Sequence, residues 1–283
     1  MKPTIPPGQP KIWRLPELGN LELLHATFVN HAFPRHTHDG FAVGVIEQGA
    51  LGFYYRGENV VASQGAINLA NPDEAHTGYA AAETGWTYRM FYLDPDLLQN
   101  AAAEIANRPI TRLPFFQTGV LDDDDLAGII HRFHRNLELE REELSQLEKE
   151  TRLLWMLTQL IMRHADAPPA PHRIGREDKA IHRVCEYIQA YCNENISIEQ
   201  LAKVAHLSPF HFIRVFRNQM GLTPHAYLTQ IRIRQAKGLL AKGWTISAAA
   251  FETGFVDQSH LTRYFKRLIG VTPGQYRNFV QDR

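Results

Sequence analysis

The segment from Ile198 to Tyr227 reads IEQLAKVAHLSPFHFIRVFRNQMGLTPHAY, and the segment from Ile246 to Tyr276 reads ISAAAFETGFVDQSHLTRYFKRLIGVTPGQY. The two segments carry one pattern: Ile198 aligns with Ile246 at an offset of 48 residues, and the residues from Arg214 onward align at an offset of 49. Two copies are too few for a solenoid, which needs about three units to bury a continuous core. The repeat instead predicts a paired recognition device.

Each copy predicts a helix-turn-helix motif, over residues 196–217 in the first copy and residues 246–267 in the second. Such a motif is a short amphipathic helix, a tight break and a second helix with a capped start. Ser208 in the first copy and Asp257 in the second are typical helix N-cap residues. Both second helices end at Gly-x-Thr-Pro, where glycine closes one helix and proline opens the next.

The spacing of the apolar residues assigns two faces to each second helix, because residues at i, i+3 and i+4 share a face. The residues that we expect to face inward are Phe212, Val215 and Phe216 in the first copy and Leu261, Phe265 and Leu268 in the second. The residues that we expect to face outward are Phe210, His211, Ile213, Arg214 and Arg217 in the first copy and Gln258, Ser259, His260, Thr262, Arg263 and Lys266 in the second.

These outward residues suit the major groove of double-stranded DNA, because arginine can pair with guanine and glutamine with adenine. The helix predicted from Pro224 to about Ala241 joins the two copies. About 18 residues at ~1.5 Å each make that helix about 27 Å long, which is near the ~34 Å between successive major-groove faces. We therefore predict that one chain places a recognition helix in each of two adjacent grooves.

The charge of the chain is divided unequally between its two parts. Residues 176–283 contain 15 Lys and Arg against 8 Asp and Glu, whereas residues 1–175 contain 15 against 22. A basic segment beside an acidic one is typical of a DNA-binding domain joined to another domain. This asymmetry disfavours the alternative of a plain helical bundle whose basic residues only solvate its surface.

The region from Arg176 to Gln281 resembles the DNA-binding domain of AraC/XylS-type bacterial transcription regulators. Its most specific part is GFVDQSHLTRYFKRLIGVTPGQYR in the second copy, which departs from the family pattern at Val256, where a small hydroxyl residue is usual. The resemblance implies base contacts by Phe210, Ile213 and Arg214 in the first copy and by Gln258, Ser259, His260, Thr262 and Arg263 in the second.

Length and composition fit more than one domain, since the chain has 283 residues of which 44% are hydrophobic and 21% charged. The domains that we predict are an effector-binding domain over residues 1–118, a helical dimerisation segment over 119–165, a proline-rich linker over 166–175 and the DNA-binding domain over 176–283. We find no run of 18 apolar residues and no secretory signal peptide. We therefore expect a cytoplasmic protein without a membrane partner.

The helical segment predicted from Asp122 to His164 carries two apolar stripes, one through Ile130 and Phe133 and one through Leu154 and Leu157. Such stripes must pack against the chain's own domain or against a second copy. In the AraC/XylS family these helices usually form the dimer, so the resemblance implies a homodimer. It also implies contact with RNA polymerase if the protein is an activator.

The first ~118 residues contain short β-prone runs separated by glycine and Asn-Pro turns, which predict a small barrel or double sheet. The runs are Phe41–Ile46, Leu51–Tyr55, Asn59–Ala62, Ala66–Leu69 and Trp86–Leu93. The region from Leu21 to Leu93 resembles the cupin-type sensor domain of the same regulators. The predicted fold class is therefore multidomain: an N-terminal all-β cupin-like barrel with a helical dimerisation segment, and a C-terminal all-α double helix-turn-helix domain.

Cupin enzymes bind a metal through an HxH pair, a nearby glutamate and a third histidine. His36, His38 and His76 match the histidines, but Ala42 and Val43 occupy the glutamate positions. Three alternatives follow: a three-histidine site for Zn²⁺ or Fe²⁺, a histidine-lined pocket for an organic ligand, or structural hydrogen bonds. We predict the organic pocket and expect no cofactor.

The candidate residues for the effector pocket are His36, His38, Glu47, Tyr54, His76, Trp86, Tyr88 and Arg89. Because neighbouring strand residues face opposite sides, Trp86 and Tyr88 share a face while Arg89 takes the other, and only one set can line the pocket. We predict a transcription regulator that responds to a small-molecule effector and is not an enzyme. The alternatives are a cupin-fold metalloenzyme or metal sensor fused to a DNA-binding module, and an architectural DNA-binding protein without a ligand.

Overall fold

The computed structural model describes residues 10–139, 144–170 and 177–281. Contacts divide the chain into two compact units, residues 1–141 with 153–172, and residues 142–152 with 173–283. We call the first the β unit and the second the helical unit. The predicted fold class is confirmed, since a β-rich part is followed by a C-terminal part made of several helices. Among the described residues, no helix combines the length and apolar character needed to cross a membrane.

The β unit is built from antiparallel strands whose order in one sheet is β1-β2-β8-β4-β6-β9. Off this path, β5 and β7 pair with β4, and β3 pairs with β7. The strands are β1 (Lys11–Leu15), β2 (Leu21–Phe28), β3 (Ala32–His36), β4 (Phe41–Tyr55), β5 (Glu58–Ser63), β6 (Ile67–Ala70), β7 (His76–Ala80), β8 (Trp86–Leu93) and β9 (Val120–Leu121). Tyr55, Trp86 and Met90 are among the buried residues between these strands.

Strand β4 joins the two halves of this fold. Its first part pairs with β6 and β8, and its second part pairs with β5 and β7. The sequence predicted two separate strands here, but the chain passes from one to the other through a register shift between Ile46 and Gln48. Gly49 lies next to this shift with φ of 71°, and a Cβ there would come within 1.9 Å of the carbonyl oxygen of Gly85. Only glycine fits so close to another backbone.

The sequence predicted the strands formed by apolar runs and missed the remaining strands of the β unit. Strand β8 has the predicted bounds, and β5 and β6 agree with the prediction to within a residue at most ends. Strands β1, β2, β3, β7 and β9 were not predicted, and neither was α1 (Pro95–Ala106). The missed β3 and β7 are short and half-exposed, so they lack the apolar alternation that marks a strand.

Helices α2 (Asp124–Leu139) and α3 (Gln146–His164) form the predicted helix pair. The Asp123 side chain caps α2 by accepting from the Leu126 amide at 3.0 Å. Leu157, which lies on one of the two apolar stripes considered for a dimer contact, is fully buried within the chain. In the predicted linker, residues 171–176 lie outside the described residues, as does the segment 140–143 between the helices.

The helical unit contains α4 (Asp178–Ala190), α5 (Ile198–Ala205), α6 (Pro209–Met220), α7 (Pro224–Ala241), α8 (Ile246–Glu252), α9 (Gln258–Ile269) and α10 (Pro273–Gln281). The N-caps at Ser208 and Asp257 are confirmed, because each side chain accepts from the backbone amide three residues on. The predicted connecting helix has the bounds of α7. Leu268 was expected to face inward but is 41% exposed, because the inner side of α9 is filled by Leu261, Tyr264 and Phe265.

The first turns of α3 also pack in the helical unit, although the sequence assigned them to the dimerisation segment. Glu148 accepts a hydrogen bond from the Tyr264 hydroxyl of α9 at 2.8 Å. Glu150 accepts one from the Ile198 amide at the start of α5, also at 2.8 Å. These carboxylates therefore contact both helix-turn-helix motifs. The domain boundaries themselves stay a prediction.

Candidate functional site

A cavity of about 290 Å³ lies inside the β unit. Its wall is mostly apolar and includes Leu24, Phe28, Phe33, Leu51, Phe53, Leu69 and Met90. The polar groups that line it are His36, His38, Asn68, His76, Thr77, Tyr88 and Tyr92. An apolar wall with a few converging polar groups is the usual form of a small-molecule site.

Three histidines meet at one end of this cavity, and we call them the cavity histidines: His36, His38 and His76. The pairing of β3 with β7 places His36 opposite His76, with ring centroids 4.4 Å apart. The His38 ring lies 4.9 Å from that of His36 and 5.1 Å from that of His76. The sequence predicted this convergence for the HxH pair and a third histidine from a later segment.

Hydrogen bonds to the backbone orient two of these rings. His36 Nδ1 lies 2.8 Å from the carbonyl oxygen of Pro34, and His76 Nδ1 lies 2.9 Å from that of Glu74. Since a carbonyl oxygen only accepts, each Nδ1 must carry the proton, and each Nε2 of a neutral ring keeps its lone pair.

The surroundings of His38 and His76 favour the neutral form of their rings. Burial, together with the neighbouring His76 and His36, lowers the pKa of His38 to about 4. Burial likewise lowers the pKa of His76, despite its hydrogen bond to the carbonyl of Glu74. These two imidazoles are therefore uncharged at neutral pH.

A buried polar network holds the loop that leads to His76. The Asn71 side chain donates to the Tyr55 hydroxyl at 2.8 Å and to the Phe116 carbonyl at 2.8 Å. The Tyr55 hydroxyl in turn donates to Glu74, and burial raises the pKa of Tyr55 to about 12. We did not predict these supporting residues, although the Asn-Pro turn that begins at Asn71 was a visible signal.

Asn68 is a second lining residue that the sequence did not identify. Its side chain is 7% exposed and donates to the Met90 sulfur at 3.3 Å. Its Oδ1 has no hydrogen-bond partner among the described residues. Because a buried acceptor without a donor is costly, this oxygen is suited to a ligand that brings an N–H or O–H group.

Four of the eight predicted pocket residues line the cavity, namely the cavity histidines and Tyr88. The expectation was wrong for Tyr54, which is exposed, because its neighbours on β4 take the inward positions. It was also wrong for Trp86, which is buried behind the wall with its ring 5.2 Å from that of Phe28. Glu47 and Arg89 lie on the opposite face of the sheet, since strand side chains alternate.

Glu47 and Arg89 belong to a group of ionisable side chains that connects the sheet to α2. We call this the ion-pair group: His25, Glu47, Arg89, His131, His134 and Glu138. Arg89 lies 3.0 Å from Glu47 and 2.5 Å from Glu138. His25 lies between the same two carboxylates, 3.2 Å from Glu47 and 3.1 Å from Glu138.

These contacts shift the pKa values in opposite directions. The hydrogen bond from His25, together with that from His131 and the positive charge of Arg89, lowers the pKa of Glu47 to about 2 in spite of burial. Burial alone would lower the pKa of His25, but its hydrogen bonds to Glu138 and Glu47 raise it. Burial and the charge of Arg89 lower the pKa of His134 to about 3. His25, Glu47 and Glu138 are therefore held in their charged forms, whereas His38 and His76 in the cavity are held neutral.

In the helical unit, α9 exposes more of its predicted reading surface than α6. Gln258, Ser259 and Lys266 are exposed, and Thr262 and Arg263 are half-buried. On α6, Arg217 is exposed and Arg214 half-buried. The expectation of an outward side chain was wrong for Phe210, His211, Ile213 and His260, which are buried.

Physical causes explain these four corrections. Phe210 and Ile213 are apolar, and their burial removes apolar surface from water; the prediction considered a single apolar stripe. His211 Nε2 lies 3.0 Å from Glu177 Oε1, and this hydrogen bond holds the side chain inward. His260 packs its ring against Phe255 and Tyr264, with centroids 5.2 and 4.8 Å away.

Comparison with known proteins relates both units to described domains. Residues 18–157 match the AraC-like ligand binding domain, and residues 201–278 match a helix-turn-helix domain. The HTH-type transcriptional regulator YbfI of Bacillus subtilis (strain 168) is 34% identical over 229 residues, which cover 81% of this chain and 81% of that protein. This chain belongs to the AraC family of transcriptional regulators.

Other similarities concern shorter parts of the regulator. LumQ of Photobacterium leiognathi, a probable transcriptional regulator, is 36% identical over 96 residues, which cover 34% of this chain and 39% of that protein. A solved structure of a probable AraC family transcriptional regulator from Rhodopseudomonas palustris CGA009 is similar over 36% of this chain and 97% of that chain, with 28% identity and a TM-score of 0.35. The regulator thus combines an AraC-like ligand-binding domain with a helix-turn-helix DNA-binding domain and regulates transcription.

Proposed function

We propose that the regulator binds a small, largely apolar effector in the cavity of the β unit and that this binding changes how the helical unit engages DNA. The observation that carries the proposal is the cavity itself. Its apolar wall surrounds the cavity histidines and the Oδ1 of Asn68, which has no hydrogen-bond partner in the part of the chain that the structure describes. The effector acts by binding one conformational state more tightly than another, because equal affinity for both would shift nothing.

The effector part of the proposal is tested by a thermal-shift screen of small metabolites. A molecule that binds only the folded β unit raises its melting temperature by mass action. For any molecule found, we expect Asn68→Ala to reduce the shift and Tyr54→Phe, outside the cavity, to leave it unchanged. Equal shifts in both variants would place the effector elsewhere.

For DNA, we propose that α9 reads bases through Gln258, Ser259, Thr262, Arg263 and Lys266 and that α6 contributes Arg214 and Arg217. Four residues of the predicted reading surface are buried and are not part of this proposal: Phe210, His211, Ile213 and His260. Arg263 is half-buried near the middle of α9, and its guanidinium lies 5.3 Å from the Tyr264 ring. Stacking of this kind pre-orients an arginine for bidentate pairing with a base.

Selection of duplexes from a random pool tests this surface. We expect the wild type to enrich two half-sites about 10 base pairs apart, one for each recognition helix. Arg263→Ala should relax the preference at one position and cost about 1–3 kcal/mol of specific binding. Lys242→Ala is the control, because Lys242 follows α7 and lies outside both recognition helices. A wild-type preference retained in full by Arg263→Ala would remove Arg263 from the reading surface.

We further propose that the regulator acts in the cytoplasm as a homodimer, works by binding rather than by catalysis and contacts RNA polymerase where it activates transcription. Sedimentation tests the dimer. Since Leu157 is buried within the chain, Leu157→Lys should now destabilise the fold rather than separate two subunits. If the Leu157→Lys variant is folded and monomeric, Leu157 is part of the dimer contact.

A further inference from the structure

The lining of the cavity in the β unit carries no permanent charge. Among the described residues that line it there is no Asp, Glu, Lys or Arg. Burial lowers the pKa of His38 to about 4 and also lowers the pKa of His76. Burial raises the pKa of Tyr92 to about 12, so its hydroxyl keeps its proton at neutral pH. A charged ligand would lose its hydration here without gaining an ion pair, which is costly.

Three of the polar atoms that line the cavity accept hydrogen bonds. Because Nδ1 of His36 and Nδ1 of His76 donate to backbone carbonyls, Nε2 of each neutral ring is an acceptor. Asn68 Oδ1 is the third, and it has no hydrogen-bond partner within the described part of the chain. The Asn68 side chain is 93% buried, so it depends on a ligand for this bond. These acceptors favour a ligand that brings an N–H or O–H group.

Aromatic rings surround these acceptors. The Phe33 ring centroid lies 5.9 Å from that of His36, and the Tyr92 ring centroid lies 5.3 Å from that of His38. Further aromatic residues of the lining are Phe28, Phe53 and Tyr88. Aromatic rings attract one another in offset-stacked and edge-to-face arrangements, beyond the gain from buried area alone. The wall therefore favours an aromatic ligand.

A second depression in the β unit adjoins the cavity and is acidic. The two share Ile12, His38 and Tyr92 in their linings. The carboxylates that line the depression are those of Glu22, Asp39, Asp94 and Asp96. The one Arg or Lys among its described lining residues is Arg14, which pairs with Glu22 at 2.7 Å. An excess of carboxylates lowers the local concentration of anions beside the cavity.

We propose that the effector is an uncharged aromatic molecule whose N–H or O–H group donates a hydrogen bond to Asn68 Oδ1, and that the cavity rejects aromatic carboxylates. This inference rests on the proposed function and narrows the effector to one chemical class. A carboxylate would meet acceptors and no cation in the cavity. An aromatic molecule without a donor would leave Oδ1 of Asn68 unpaired.

Three bicyclic probes of similar size test this class on the full-length wild type at neutral pH. The probe 2-naphthol donates, 2-methoxynaphthalene only accepts, and 2-naphthoate is an anion. The reporter is Met90, which lines the cavity and accepts from Asn68. The chain has 5 methionines, so ¹³C-methyl labelling of methionine gives few signals, and Met90→Leu assigns the relevant one.

We expect 2-naphthol to shift the Met90 signal with a Kd at least about tenfold lower than that of 2-methoxynaphthalene. We expect 2-naphthoate to leave the signal in place. Equal affinity for 2-naphthol and 2-methoxynaphthalene would overturn the inference, and so would binding of 2-naphthoate as tight as that of 2-naphthol. Either result would leave the cavity standing as the effector site.

A Met90 signal that none of the three probes shifts would overturn the inference as well. The proposed function is then judged separately, by the molecules found in the thermal-shift screen. A molecule from that screen that shifts the Met90 signal would leave the proposed function standing. If no such molecule shifts it, the cavity is not the effector site.

A variant assigns the partner of the donor group. Asn68→Leu has no acceptor at this position, so the preference for 2-naphthol over 2-methoxynaphthalene should disappear while both probes still bind. Asn59→Leu is the matched control, because Asn59 is exposed on β5 and does not line the cavity. A wild-type preference retained by folded Asn68→Leu would overturn the role of Asn68. The wild-type titrations decide the ligand class even if Asn68→Leu does not fold.

Discussion

Two groups of histidines lie on opposite faces of one sheet in the β unit, and they differ in what surrounds them. The ion-pair group contains two carboxylates and an arginine, and the pKa of its His25 is raised. The cavity histidines form no ion pair with a carboxylate within the described residues, and the pKa of His38 falls to about 4. The comparison teaches that carboxylate partners, more than burial, decide whether these imidazoles carry charge.

Strand β8 contributes side chains both to the cavity wall and to the ion-pair group. Tyr88, Met90 and Tyr92 face the cavity, and Arg89 between them reaches the ion-pair group, because side chains of a strand alternate. One face therefore offers neutral donors and acceptors to a ligand. The other uses charge to hold α2 against the sheet through Glu138.

The largest difference between the groups should appear when Arg89 is removed. Arg89→Ala leaves Glu47 and Glu138 without their guanidinium partner in a partly buried site, and we expect it to destabilise the β unit by about 3–5 kcal/mol. The measurement is denaturant unfolding of that unit. Arg14→Ala breaks the exposed pair with Glu22 and should cost at most about 1 kcal/mol. Similar losses of unfolding free energy in Arg89→Ala and Arg14→Ala would show that the ion-pair group stabilises the β unit no more than an exposed pair does.

In the helical unit, Glu148 and His225 test whether the distance between a carboxylate and an imidazole also decides the charge of the imidazole. Glu148 lies 3.7 Å from His225 and 2.5 Å from Arg152, and burial still lowers the pKa of His225 to about 4. We therefore expect Glu148 to act through Tyr264 and Arg152, so that Glu148→Gln destabilises the helical unit by about 1.5–3 kcal/mol. Glu252→Gln, at an exposed position of α8, is the control. A neutral effect of Glu148→Gln would contradict this assignment.

The two groups should also differ in how pH changes stability. Glu47 has a pKa of about 2 instead of its ordinary 4.5, so its stabilisation is complete above pH 4.5 and is lost as the pH falls toward 2. Glu47→Gln should therefore flatten the acid side of the stability curve by roughly 1–3 kcal/mol. The β unit's unfolding free energy is measured between pH 2.5 and about 9.

The alkaline side of the same curve tests His25. Its pKa is raised from 6.5, so its stabilisation is complete below pH 6.5 and is lost as the pH rises through the raised value. His25→Gln should flatten that side and leave the acid side in place. Curves for the variant and the wild type that run parallel above pH 6.5 would show that His25 is not charged in the folded protein.

The smallest effect is expected for the cavity histidines. His36 is half-buried and its ring donates a hydrogen bond to the Pro34 carbonyl, so His36→Gln should change the unfolding free energy by no more than about 1 kcal/mol. The comparison variant is Arg89→Ala, measured under the same conditions without added metal. A loss as large as that of Arg89→Ala would mean that the cavity histidines are structural.

The two copies of the repeat show how far a local pattern reaches. The N-caps at Ser208 and Asp257 and the helix stop at Gly221 were predicted and are confirmed, because capping depends on residues only three or four positions apart. The burial of Ile213 and His260 was not predicted. Which side of a helix is covered depends on segments far away in the sequence.

The candidate site divides in the same way. The sequence by itself determined the repeat, the basic second half, the apolar strands and the meeting of His36, His38 and His76, since each follows from spacing, composition or a motif. Only the tertiary structure showed that Arg89 and Glu47 lie outside the cavity and that Asn68 and Tyr92 line it. The contact between Glu148 and Tyr264 was likewise visible only in the tertiary structure. The physical reason is that caps and strand alternation are local, whereas the facing of a strand and the partner of a buried charge are set by pairings between residues that the chain brings together only when it folds.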